Sequence, residues 1–260
     1  DPRPRTERSL RPLRTQGMTP LVIILGPTGA GRADTVRELA ENAWPEGRKI
    51  RVLREAREGG GAPDQWEFKG GQAVLPAPGD EDAAILVTHG SLHVIDQMEA
   101  LHRAIKPMMP DAVWRVARII TVVDCPLAMK HKAVEEWYRV CVHFSDAVVI
   151  NRRWEVPGQW VSKFLEPYEK EFYPCLFFNL TKVGAIANPP AVIDGEPLRL
   201  SHIFDDIDAV DEMEFDEDNL PDEPFDLVRQ VDKYFARDEL GRRNILVPEI
   251  GDLLKQEGRG

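Results

Sequence analysis

An apolar run followed by a glycine-rich turn is the feature that most restricts how this chain can fold. The run at 21–25 reads LVIIL, and the turn at 26–33 reads GPTGAGRA. The glycines match the spacing G-x-x-x-x-G-K-[ST], in which a strand leads through a tight turn into a helix. Arg32 stands where that pattern has lysine, and Ala33 stands where it has a hydroxyl residue. The sequence therefore predicts a strand, a phosphate-type turn (a P-loop) and a helix.

The turn itself indicates what it can bind. Backbone N–H groups that converge in such a turn bind phosphate oxygens, and the N-terminus of the next helix adds positive potential. Arg32 adds a charge and a planar fork, whereas Ala33 offers a magnesium ion no ligand. A glycine-rich turn that binds nothing is the alternative. We expect a nucleotide or a phosphate to contact Gly26, Thr28, Gly29, Ala30, Gly31, Arg32 and Ala33.

Composition limits the class of protein. The chain has 260 residues, of which 43% are hydrophobic and 30% are charged, as expected for a soluble globular protein of one large domain or one domain with an appendage. The longest apolar runs are too short to span a bilayer, so we expect no membrane association. Three widely separated cysteines argue against a disulfide framework or a zinc site. A reducing cytoplasm fits this composition best.

Charge divides the chain into three predicted parts. Residues 1–17 contain five arginines and no apolar stretch, so we expect a leader or added segment outside the fold. Residues 18–182 form the P-loop domain. Residues 183–260 form an acidic extension with 20 Asp and Glu against 8 Lys and Arg. Because this part is so acidic, nucleic acid is not an expected partner.

The densest acidic segment, 205–226, holds 12 acids and no Lys or Arg. Self-repulsion favours a solvated segment, or a strap that binds a protein partner. The alternative is that the segment folds back onto a basic mouth formed by Arg32, Arg152 and Arg153.

Short apolar segments alternate with amphipathic helical patterns through most of the chain. This alternation predicts a three-layer α/β fold of the P-loop NTPase type, with a mostly parallel sheet covered on both faces. A hairpin is expected within 66–74. The predicted strands are 21–25, 49–53, 83–88, 118–124, 147–150 and 176–180, and the predicted helices are 33–42, 94–105, 126–143 and 157–168.

Ligands of parallel sheets bind at the carboxyl ends of the strands, and four strand ends here carry polar or glycine signals. They are GPTGAGRA at 26–33, THG at 88–90, Asp124 in IITVVDC and Asn151 in DAVVINRR. In order and spacing they resemble the CobW-type GTPases, metallochaperone relatives, over about residues 20–180. The resemblance implies that GTP or ATP binds at the P-loop, with Asn151 and Arg152 beside the base.

Departures from that family's pattern concern base recognition, hydrolysis and metal binding. Trp154 replaces the aspartate that accepts hydrogen bonds from guanine, and Val87 replaces a glutamate. No cysteine lies between Val52 and Ile85, so the family's Cys-x-Cys-Cys motif is absent. Because Val87 and the altered residues of the P-loop replace groups needed for phosphoryl transfer, the resemblance implies a degenerate member with weak or no NTP hydrolysis. A pseudo-GTPase scaffold that binds a protein without nucleotide is the rival interpretation.

Asp124 is the one catalytic candidate, and it has two interpretations. It can hold magnesium through water at the end of a buried strand, or it can cap the helix that begins near Pro126. A third possible function, an ATP-dependent kinase or ATPase with unconventional magnesium ligands, would be built on Asp124 and Arg32. His89 and His93 have metal-ligand spacing, but an ordinary surface or core pair is favoured.

Overall fold

The computed structural model describes residues 17–58, 64–105, 112–205 and 231–259. The acidic segment 206–230 and the segment 1–16 lie outside the described residues. Strand bounds agree with the predicted positions to within a few residues, and the expected hairpin is present as β3 and β4. The strands are β1 Thr19–Leu25, β2 Ile50–Glu55, β3 Gln65–Lys69, β4 Gln72–Val74, β5 Ala83–Val87, β6 Trp114–Asp124, β7 Ala147–Asn151 and β8 Leu176–Asn179.

Helices connect most of the strands, and a short 3₁₀ helix, Arg153–Glu155, follows β7. The helices are α1 Arg32–Asn42, α2 Val94–Ile105, α3 Cys125–Lys130, α4 Lys132–His143, α5 Gly158–Lys170, α6 Pro189–Ile193 and α7 Gly251–Gln256. No helix in the described ranges has the length and apolarity needed to cross a bilayer.

The strands form one sheet in the order β4-β3-β2-β5-β1-β6-β7-β8. Neighbouring strands are parallel except for the hairpin of β3 and β4 at one edge. The central strand β1 alternates its side chains between two apolar cores. Leu21, Ile23 and Leu25 pack on one face with α2 to α5, and Val22 and Ile24 pack on the other with α1 and α6. The three-layer α/β prediction is therefore confirmed.

The predicted single helix over 126–143 is wrong, because two helices occupy that stretch. The chain is extended at His131, which has φ −130° and ψ 109°. At the break, His131 Nε2 lies 2.8 Å from Glu257 Oε1, and Lys130 Nζ lies 2.7 Å from the same oxygen. Both side chains therefore contact the C-terminal segment, a partner that no pattern within 126–143 can indicate.

Residues 231–259 pack against the sheet domain. Tyr234, Ile250 and Leu254 are buried in the same apolar core as α2 and α4. The ring of Tyr234 lies edge-on to His143, with centroids 5.0 Å apart. The last described residue, Arg259, contacts Asp124 at the carboxyl end of β6 and the Gly29 carbonyl oxygen of the P-loop.

Candidate functional site

The turn after β1 is wound tightly because its glycines adopt backbone conformations that other residues rarely reach. Gly29 has φ +78° and Gly31 has φ +92°. A Cβ on Gly31 would lie 2.2 Å from Asn151 Nδ2, and a Cβ on Gly26 would lie 2.9 Å from the Val122 carbonyl oxygen. Side chains at these positions would therefore collide with the neighbouring strand ends β6 and β7.

The backbone N–H groups of Gly29 and Gly31 have no hydrogen-bond acceptor among the described residues. The N–H of Ala30 donates to the Pro27 carbonyl oxygen at 3.1 Å, which closes the turn. Helix α1 begins at Arg32, so the positive end of its dipole faces the same space. This geometry suits an anion with several oxygen atoms.

Arg32 crosses the turn and is almost fully buried, with 8% of its side chain exposed. Its Nη2 lies 3.0 Å from Glu58 Oε2, and its Nη1 donates to the Thr88 carbonyl oxygen. Burial lowers the pKa of Arg32, and the neighbouring Glu58 carboxylate opposes that shift. The cation expected to meet phosphate is therefore already paired with an acid of the protein.

Glu58 is a site residue that the sequence reasoning missed. Its Oε1 accepts hydrogen bonds from Thr28 Oγ1 at 2.9 Å and from the Gly90 N–H at 3.0 Å. Burial alone would raise its pKa, but the charge of Arg32 and the Gly90 N–H hold the pKa of Glu58 below its ordinary value. The available signal was position, since Glu58 lies in the turn just after the carboxyl end of β2 and precedes three glycines.

A cavity of about 610 Å³ opens beside the turn at the β2 side. Besides the turn it is lined by Arg54, Arg57, Glu58, His89 and Ser91. Burial lowers the pKa of His89, and the Nδ1 of its neutral ring accepts a hydrogen bond from the Ser91 N–H at 3.1 Å. The cavity therefore combines backbone donors with several basic side chains.

The two histidines do not form a joint site. His89 lines the cavity beside the turn, whereas His93 lines a separate cleft against residues 248–252. Within the described ranges, no cluster of three His, Cys, Asp or Glu side chains is arranged to hold a metal ion.

The groups that would hold magnesium in a P-loop protein do not fit that ion here. Ala33 has only a methyl group, and the side chain of Val87 is apolar and buried. The hydroxyl of Thr35 donates to the Gly31 carbonyl oxygen at 3.1 Å, at the start of helix α1. Of the acids at the strand ends, Glu58 binds Arg32 and Asp124 binds two other arginines.

Asp124 is fully buried and lies between two guanidinium groups. Its Oδ2 lies 3.0 Å from Arg152 Nη1 and 2.5 Å from Arg259 Nη1. Its Oδ1 accepts a hydrogen bond from the Leu127 N–H at 3.2 Å, so the side chain also caps α3. The helix-cap interpretation describes these contacts, and both oxygens are engaged by protein groups.

Asn151 and Arg152 contact the protein rather than an open base site. Asn151 Nδ2 donates to the Ala30 carbonyl oxygen at 2.8 Å, which ties the end of β7 to the turn. Arg152 adopts a left-handed conformation with φ +56° and pairs with Asp124 and Glu155. Asn151 thus supports the shape of the turn, whereas Arg152 links the end of β6 to the 3₁₀ helix.

Trp154 presents a flat aromatic surface beyond these residues. Its side chain is 38% exposed, and Lys182 Nζ lies 5.8 Å from the ring centroid. Nearby, Arg153 Nη1 donates to Asn179 Oδ1 at 3.0 Å. An indole cannot accept the two hydrogen bonds that an aspartate would accept from guanine, but its face can stack on a base.

No protein-family model and no curated protein matches this chain. Among solved structures the chain is similar to Zn(II)-bound YjiA GTPase from E. coli, at 14% identity and a TM-score of 0.37. It is also similar to a Zn(II)-bound triple mutant of YjiA GTPase, at 12% identity and a TM-score of 0.36. Each match covers 69% of this chain and 66% of the other, slightly under two thirds of that chain. The fold class rests on the strand order and parallel register of the sheet itself.

Proposed function

We propose that this chain is a nucleotide- or phosphate-binding P-loop protein, resembling CobW-type GTPases, with weak or no NTP hydrolysis. The observation that carries the proposal is the pair of N–H groups at Gly29 and Gly31, which point to no acceptor in the described structure. The N-terminus of α1 and the adjacent cavity supply potential and space. GTP and ATP are both candidates, and Trp154 supports base stacking rather than guanine selection.

Slow hydrolysis follows from the side chains around the turn. Phosphoryl transfer depends mainly on a metal ion, a cation and a positioned water, each acting through its charge or geometry. Ala33 and Val87 contribute no oxygen ligand, and Asp124 is bound by Arg152 and Arg259. Turnover of GTP or ATP at an ordinary GTPase or ATPase rate would contradict this part of the proposal.

A cytoplasmic location belongs to the same proposal. It is supported by the three cysteines, Cys125, Cys141 and Cys175, which are all free and buried. Burial raises the pKa of Cys125 and of Cys175 to about 12, so both thiols are expected to be unreactive.

Thermal unfolding with added ligands tests the binding proposal directly. The ligands are inorganic phosphate, GDP, GTP, ADP and ATP, each with magnesium and with EDTA. A ligand present at a hundred times its Kd raises the free energy of unfolding by about 2.7 kcal/mol. We expect at least one nucleotide to raise Tm, and the absence of any shift would refute the proposal.

Gly31→Val tests whether the turn is where the ligand binds. The new side chain would collide with Asn151 Nδ2, so the turn must deform and the Tm shift should be lost. Gly47→Val is the matched control, because Gly47 has a similar φ of +83° but open space around its Cβ position. Both variants must first show native circular dichroism. An undiminished ligand shift in folded Gly31→Val would place binding elsewhere.

A scaffold without nucleotide is the second candidate, because the arginine of the turn is already neutralised by Glu58. In that case the acidic segment 205–226 would be the surface that binds a protein partner. An ATP-dependent kinase or ATPase built on Asp124 and Arg32 has less support, since both side chains are paired within the protein. The same Tm series separates the scaffold from the two nucleotide-binding candidates, because a scaffold responds to none of the nucleotides.

A further inference from the structure

The carboxylate of Glu58 accepts hydrogen bonds from groups of the kind that bind phosphate. Thr28 Oγ1 and Arg32 Nη2 come from the turn, and the Gly90 N–H comes from the segment after β5. All three donate to Glu58 Oε1, at 2.9 to 3.1 Å. The glycine at 90 is required for this approach, since a Cβ there would lie 2.3 Å from the Thr28 nitrogen. Donors from two separate segments therefore converge on one anionic side chain.

The place of Arg32 in the turn identifies which part of a ligand would meet these donors. In phosphate-binding loops the residue after the second spaced glycine reaches the β- and γ-phosphates. Arg32 holds that position, and its Nη2 donates to both oxygens of Glu58, at 3.1 Å and 3.0 Å. The carboxylate thus lies where the last phosphate of a nucleoside triphosphate would contact the arginine.

A carboxylate and a terminal phosphate cannot share this position, because both are acceptors and both are negative. The backbone N–H groups of Gly29 and Gly31 remain open to the inner phosphates. Arg54 also lines the cavity, so a basic side chain remains for a shorter ligand, whereas Arg57 is paired with Glu55. The arrangement therefore disfavours a third phosphate more strongly than the first two.

We propose that Glu58 stands in for the terminal phosphate and makes this a site for nucleoside diphosphates in preference to triphosphates. This inference rests on the proposed function, since it names the ligand class of the same P-loop. A nucleoside triphosphate would bind only after displacing Glu58 from Thr28, Arg32 and Gly90. The proposal also predicts that inorganic pyrophosphate binds more tightly than inorganic triphosphate, because the base takes no part in the discrimination.

Isothermal titration calorimetry in EDTA tests the preference on the full chain. The probes are GDP, GTP, ADP, ATP, pyrophosphate and triphosphate. For the unmodified protein we expect each diphosphate to bind about tenfold more tightly than its triphosphate, equivalent to about 1.4 kcal/mol. Glu58→Gln removes the charge and keeps the shape, so triphosphate affinity should rise about tenfold while diphosphate affinity changes by less than about threefold.

Two further variants identify the charge of Glu58 as the cause. Glu58→Asp keeps a negative group on a shorter side chain and should retain the diphosphate preference. Glu41→Gln removes an exposed carboxylate from α1, outside the cavity lining, and should leave both affinities unchanged. The measurement on the unmodified protein needs no variant, so poor folding of a Glu58 variant does not prevent the test.

The possible failures are distinguishable. Equal or tighter binding of triphosphates by the unmodified protein would overturn the inference and leave the proposed function standing. An unchanged ratio in folded Glu58→Gln would also overturn it. If none of the six probes binds, the inference and the proposed function both fail.

Discussion

Two carboxylates flank the P-loop, and each binds an arginine in a different setting. Glu58 lies on the β2 side, where 20% of its side chain is exposed and its donors include two side chains of the loop. Asp124 lies on the β6 side with no exposed side-chain surface. Its two arginine partners come from the segment after β7 and from the C-terminal segment.

The contrast shows that access and partners, rather than the carboxylate itself, decide what each acid does. Asp124 caps α3 and also pairs with Arg152 and Arg259. Its buried charge therefore connects α3, the segment after β7 and the C-terminal segment. Glu58 faces the cavity and is bound to groups that the proposed phosphate ligand would use. We therefore propose that Asp124 contributes to stability and Glu58 to ligand discrimination, and three changes test this division.

Asp124→Ala should have the largest effect on stability. It leaves Arg152 and Arg259 without their shared partner and removes the cap of α3. Loss of one member of a buried pair costs about 3 to 5 kcal/mol, and because both arginines are partly exposed we expect about 3 kcal/mol. Urea unfolding followed by circular dichroism measures the change. Glu155→Gln, which removes a more exposed partner of Arg152, is the control; equal losses would contradict the assignment.

Glu58→Gln should cost less, about 1.5 kcal/mol at pH 7, because it weakens charge-assisted hydrogen bonds at a partly exposed site. The cost should depend on pH. The pKa of Glu58 in the folded protein lies below the ordinary 4.5, so its contribution is complete above that value and is lost as pH falls through the folded pKa. The difference in unfolding free energy between the two proteins should shrink below about pH 4.5. A difference that is constant from pH 7 to pH 3 would exclude this role.

Arg259→Ala should have the smallest effect, about 1 kcal/mol or less, because Asp124 keeps its bond to Arg152 and Arg259 itself is 21% exposed. Chemical unfolding at low and high salt measures it, and salt should reduce the effect. Lys255→Ala, which removes an exposed pair with Asp252, should be close to neutral. A loss as large as that of Asp124→Ala would show that the C-terminal segment, rather than Arg152, carries the pairing.

Local patterns in the sequence were sufficient for the architecture. Apolar runs and helical stripes predicted β5, α2 and β7 within a residue or two of their bounds, because burial on a sheet repeats at short range. The spacing of Gly26 and Gly31 predicted the turn, since a strand must leave and a helix must begin within a few residues there. Because the carboxyl ends of parallel strands lie at one edge of a sheet, the sequence also predicted that Asp124 and Asn151 are neighbours. They are paired in register at the ends of β6 and β7.

The partners of the charged groups were set by the tertiary fold. Arg32 meets Glu58, 26 residues away, and Asp124 meets Arg259, 135 residues away. The break at His131 likewise coincides with a contact to Glu257. Periodicity reports which side of an element is buried, but it holds no information about which distant side chain arrives there. Whether a buried charge binds a ligand or another residue depends on which distant side chain lies beside it. The tertiary fold alone decides that.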